Sequence, residues 1–64
     1  MTDEDAIRTL KQWVKAEQHR QVVIKLRPPL YDVQVKHDGR EVGRGFSLDC
    51  LGDAADYALD PFSD

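Results

Sequence analysis

A single cysteine, Cys50, is all the thiol the chain carries. No disulfide can form within one copy, and zinc sites of the common Cys/His kinds are excluded unless two copies share one. Small secreted domains ordinarily rely on disulfide staples, so this composition predicts a reducing, cytoplasmic location. Long apolar runs are also missing, and none approaches the roughly 20 residues that span a bilayer. The opening "MTDEDAIRTL" has neither a basic n-region nor an apolar h-region, so no secretory leader is expected. Glycine and proline number only 4 and 3, too few for a flexible linker or a low-complexity segment. Both ends lack basic residues. All nine Lys and Arg lie between Arg8 and Arg44.

That last absence shapes the charge. The formal net charge is −3, but it is a basic middle between two acidic ends. The middle segment holds only Glu17, Asp32, Asp38 and Glu41 against its basic residues. Asp3, Glu4 and Asp5 precede it, and Asp49, Asp53, Asp56, Asp60 and Asp64 follow it.

What is present suffices for one small fold. A chain of 64 residues is a single domain, 1–64, near the lower limit for independent folding. Its 41% hydrophobic content argues against disorder. Ala6, Ile7, Leu10, Trp13 and Val14 recur at the spacing of one helical face, with Lys11 and Lys15 on the other side. Thr2 is positioned as N-cap with Asp5 three residues on, and Asp3, Glu4 and Asp5 suit the positive end of the helix dipole. "QVVIKLR" alternates as a strand, with Val22, Ile24 and Leu26 on one side and Val23, Lys25 and Arg27 on the other. Pro28 and Pro29 end it. "YDVQVKH" follows, with Tyr31, Val33 and Val35 predicted inward. Asp38-Gly39 between two alternating segments is a strong hairpin signal. "EVGRGF" is a third strand, for which alternation predicts Val42 and Phe46 inward. Gly43 and Gly45 weaken it and mark a bulge or a close neighbour.

"SLDCLGDAADYALDPF" reads as a second helix, capped by Ser47 or Asp49, with Leu48, Leu51, Ala54, Ala55, Ala58, Leu59 and Phe62 on its apolar face. Gly52 inside it costs about 1 kcal/mol relative to alanine, which points to close packing there. The predicted fold is α+β: a three-stranded antiparallel sheet with two helices on one face, in the order α-β-β-β-α.

This order, with Val33, Val35, Gly39, Gly43, Gly45, Ser47, Ala54, Ala55, Ala58 and Leu59 at matching spacings, resembles the double-stranded-RNA-binding domain. In that family a lysine cluster directly after the serine grips phosphates across the groove. The corresponding positions here are Leu48, Asp49 and Gly52, none of them basic. The family's loop between the first two strands carries a histidine, whereas "RPPLYD" is short and has none. The resemblance thus implies an architecture without that family's RNA contacts, and fold does not carry function by itself.

Two surfaces stand out as candidates. Asp49, Asp53, Asp56 and Asp60 are spaced by four, three and four, which on a helix puts them within an arc of roughly 60°. As a plain solvated face this stripe would solubilise the domain. Aspartate is a poor helix former, however, and like charges at i,i+4 repel. An all-aspartate stripe therefore favours a protein partner with a basic surface. The other surface is the outward sheet face, with Lys25, Arg27 and Lys36, joined near the hairpin by Arg40 and Arg44. It could follow a phosphate backbone, or it could simply carry the lysines that protect exposed strands. Single-strand platforms also need exposed aromatics, and with Tyr31, Phe46 and Trp13 predicted inward none remains.

Chemistry is poorly served. His19 and His37 stand alone, and nothing in the sequence activates Cys50. The expectation is a non-enzymatic protein, without cofactor or metal, that binds a basic partner through its acidic helix as a regulator or inhibitor. A nucleic-acid module is the alternative, and a homodimer through an edge strand would help so small a core.

Overall fold

The computed structural model describes residues 1–62, so Asp64 of the acidic tail lies outside the described residues. The elements run α1 (Asp3–Ala16), β1 (Arg20–Arg27), β2 (Leu30–His37), β3 (Arg40–Ser47) and α2 (Leu51–Leu59), with a short 3-10 turn at Asp60–Phe62. The sheet is antiparallel in the order β1-β2-β3. This is the α+β architecture expected, and its element order is compatible with the fold the resemblance implied.

Local chemistry accounts for the boundaries. The Thr2 hydroxyl accepts the Asp5 amide at 3.1 Å, which satisfies one of the free donors at the start of α1. At its other end, Arg20 donates to the Trp13 carbonyl at 3.0 Å and lies over the Trp13 ring at 4.4 Å, which ties the helix to β1. Pro28 and Pro29 form the two-residue turn into β2. Asp38 and Gly39 turn β2 into β3 with φ of 54° and 79°, the paired positive values of a type I′ hairpin.

The core lies between the sheet and the helices. Val33 and Val35 of β2 are fully buried under Leu10 and Trp13 of α1 and Leu51, Ala54, Ala55 and Ala58 of α2. Each valine contributes roughly 1.5–3 kcal/mol through burial. Tyr31, Val22 and Leu59 pack at its margin.

Strand β3 departs from simple alternation, with consequences for both faces. Lys36 pairs with Glu41, but Val35 pairs with Gly43, so Val42 is an extra residue in the strand. One inserted residue reverses the side of everything beyond it. Gly43 and Gly45 therefore face the helices, while Arg44 and Phe46 face outward. Phe46, predicted inward, is 48% exposed, and Val42 is exposed at the bulge. The glycines permit α2 to lie directly on the strand. A Cβ at Gly45 would fall on the Ala54 carbonyl and 2.6 Å from the Ala58 nitrogen, and one at Gly43 would meet the Ala58 carbonyl.

Helix α2 is shorter than the sequence suggested. Its N-cap is Cys50, whose side chain makes no capping bond. The Ser47 hydroxyl instead accepts the amides of Asp49 and Cys50 at 3.0 and 3.4 Å. The Asp3 carboxylate, from α1, accepts the Gly52 amide at 3.1 Å. Leu48 precedes the helix and is exposed. Gly52 is explained by the chain start crossing over it: a Cβ there would land on the Met1 carbonyl.

Candidate functional site

The outward sheet face is built from three cross-strand rows. Lys25, Asp32 and Phe46 form one, Val23, Gln34 and Arg44 the next, and Gln21, Lys36 and Glu41 the third. Arg27 continues the β1 side, opposite Leu30. Lys25, Arg27, Lys36 and Arg44 therefore share this face. Arg40 does not: it pairs with His37, which the alternation of β2 places on the helix side.

Asp32 is 6% exposed although it points away from the core. Arg44 donates to both of its oxygens, from Nη2 at 3.0 Å and Nε at 3.4 Å. The hydrogen bond to Asp32 is the chief cause of a raised Arg44 pKa. The same guanidinium lies over the Phe46 ring at 4.6 Å. A small hollow of about 90 Å³ between Lys25, Arg27, Leu30, Asp32 and Arg44 completes the patch. A half-exposed aromatic thus shares this face with four cations, of which Arg44 covers its ring, is paired with buried Asp32 and lies 4.0 Å from Glu41.

The acidic surface is divided by the real helix limits. Asp53 and Asp56 lie on α2, Asp49 precedes it and Asp60 opens the 3-10 turn. Asp56 and Asp60 border an open groove of about 570 Å³ between the helices. Its other walls include Thr9, Gln12 and Trp13 of α1, with Leu59 and Phe62. Trp13 and Phe62 stand 5.2 Å apart at 60°, and Arg20 already lies against both rings. The Met1 ammonium donates to Asp56 Oδ2 at 2.9 Å. That hydrogen bond first, and the charge of Asp56 second, raise the pKa of the ammonium. The Met1 side chain is 21% exposed and that of Asp56 48%, so water partly screens the pair. Asp53 is half-buried and Asp49 exposed.

The residues considered for chemistry are not brought together. His37 lies at the hairpin end of β2, and Cys50 follows Ser47, which pairs with Tyr31 near the other end. About 20 Å of strand separates those ends. His37 Nε2 lies 3.8 Å from Asp38 and 4.0 Å from Glu17.

Sequence reasoning missed Phe46 as a surface residue, the Asp32–Arg44 pair, and Asp3 as a cap for α2. A signal for the first was present. Two glycines alternating with Arg44 and Phe46 define a strand face with no side chains, and Ala54, Ala55 and Ala58 define a helix face that needs such a strand. The cap from Asp3 left no trace, because it acts over 49 residues. No protein-family model, curated protein or solved structure matches the chain.

Proposed function

We propose that this is a non-enzymatic binding domain that meets the basic surface of another protein at the groove between α1 and α2, acting as a regulator or inhibitor of that partner. The observation that carries this reading is that Asp56 and Asp60 border one open groove whose lining also includes Trp13 and Phe62. Carboxylates at a rim attract and orient a cationic side chain, and an apolar lining accepts its methylene stem. Asp53 and Asp49 extend the negative field along the same helix and its approach, which favours fast, salt-sensitive association. A solubilising stripe would sit on a convex surface, whereas these two carboxylates lie beside a concavity.

A synthetic Arg- and Lys-rich peptide, titrated into isotopically labelled protein and followed by NMR, tests this. Shifts should concentrate at Thr9, Gln12, the Trp13 indole, Asp56 and Asp60. The variant Asp56→Asn/Asp60→Asn should lose about tenfold in affinity at low salt, with an unchanged melting temperature. Shifts scattered over the surface, or equal affinity in the variant, would refute it.

One observation favours a second reading, a nucleic-acid contact on the outward sheet face. Phe46 supplies that face with the exposed aromatic that a single-strand platform needs. Fluorescence anisotropy with labelled single strands and duplexes at low and physiological salt distinguishes the two. Salt-steep binding that weakens in Phe46→Ala and Lys25→Ala supports the sheet face, and no binding at low salt removes it.

A further inference from the structure

The two edges of the sheet differ. Strand β3 is interrupted by the bulge at Val42, a common device for keeping an edge from pairing. Strand β1 pairs with β2 over all eight of its residues without irregularity, and among the described residues no strand pairs with its other edge. Beside that edge lies an apolar groove of about 290 Å³, formed by Ile7, Leu10 and Val14 of α1 with Val22 and Ile24 of β1. Ile7, Ile24 and Leu26 are 44%, 39% and 62% exposed, although all three belong to faces that otherwise point at the core. The core as folded leaves this side uncovered.

We infer that a second copy of the chain covers it, with β1 pairing antiparallel to β1 about a two-fold axis at Ile24. The strand is self-complementary in that register. Ile24 meets Ile24 of the second copy and Val22 meets Leu26, so the helix-facing side is apolar throughout. On the outward side Lys25 falls opposite Val23 and Arg27 opposite Gln21, so no like charges stand directly opposed. The two Lys25 ammonium groups become diagonal neighbours at the solvent face, a modest cost that water and salt screen.

The helices supply the charge argument. A two-fold axis through the paired strands makes the two copies of α1 antiparallel. The N-terminal turn of α1 is acidic, with Asp3, Glu4 and Asp5, whereas Lys11 and Lys15 line the groove from its C-terminal half. Antiparallel copies therefore bring the acidic end of one helix to the basic half of the other. Glu4, Lys11 and Lys15 make no ion pair with described residues of their own chain, so they are free to pair across the axis. An unrelated acidic peptide would satisfy the lysines but leave Glu4 unmatched.

Light scattering coupled to size exclusion, with sedimentation equilibrium, tests this on the intact chain. The wild type should sediment as a concentration-dependent dimer, and its melting temperature should rise with concentration. Ile24→Glu sets two carboxylates face to face and should weaken self-association by about a hundredfold. Leu48→Glu, exposed just beyond the end of β3 on the opposite edge strand, should leave it intact. The decisive arm mixes Ile24→Glu with Ile24→Lys. Each alone should be monomeric, and the mixture should restore the dimer, because only this register puts residue 24 opposite itself. Hydrogen exchange on the wild type covers the case where a variant misfolds: the β1 amides that point away from β2 should gain protection with concentration. A wild type monomeric at all concentrations, a dimer indifferent to Ile24→Glu, or a mixture that fails to pair would overturn the inference. An acidic peptide that protects β1 in a monomeric wild type would identify a different occupant and overturn it equally.

Discussion

Gly45→Ala is the substitution that most directly tests how α2 sits on the sheet. The added methyl group would project into the Ala54 carbonyl, with the Ala58 nitrogen 2.6 Å and the Tyr57 Cβ 2.9 Å away. Real Cβ contacts essentially never fall under 3.0 Å, so α2 must lift by on the order of 1 Å to reach van der Waals distance. Lifting it loosens Ala54 and Ala58 from Val33 and Val35, the most deeply buried part of the core. Overpacking of this kind costs about 1–3 kcal/mol. The upper end applies because the obstructing atoms are mostly helix backbone, which no rotamer change can move. A core of this size supplies roughly 3–5 kcal/mol in total. At about 4–8 °C per kcal/mol for a small domain, the melting temperature should fall by more than about 10 °C. Circular dichroism melts and urea titrations of wild type and Gly45→Ala provide the measurement. Ala54→Gly in the same background should not restore stability, since the clash is with its carbonyl rather than its methyl. A Gly45→Ala protein melting within about 2 °C of wild type, a loss of less than about 0.5 kcal/mol, would refute the direct helix-on-strand contact.

Three further outcomes follow from the same geometry. Phe46→Ala should change stability by no more than about 0.5–1 kcal/mol, as for a surface site, whereas the inward placement read from alternation would cost about 3–5 kcal/mol; the same melts decide between them. Arg44→Ala leaves the buried Asp32 carboxylate unpaired and should lower the urea midpoint measurably. Asp32→Leu combined with it should recover much of that loss in urea titrations. Asp3→Ala removes the acceptor for the Gly52 amide and should cost about 1 kcal/mol, with faster hydrogen exchange confined to the first turn of α2.

The sequence by itself determined the elements and their order. Thr2, Asp38-Gly39 and the two prolines act on neighbouring backbone, so their effects are local and legible. The helical spacing of Ala6, Leu10 and Trp13, and the alternation of Val33 and Val35, are periodicities that fix which side is buried. The tertiary structure alone decided three things. It placed the bulge at Val42, because the register of β3 is set by how closely α2 can lie on Gly43 and Gly45, a fit between segments distant in the chain. That bulge turned Phe46 and Arg44 outward and gave Asp32 its partner. It ended α2 at Leu59 and started it at Leu51, which divided an apparent four-aspartate stripe and left Asp56 and Asp60 at the groove between the helices. And it left Ile7, Ile24 and Leu26 uncovered at the β1 edge, since two helices of these lengths do not cover the whole of one sheet face.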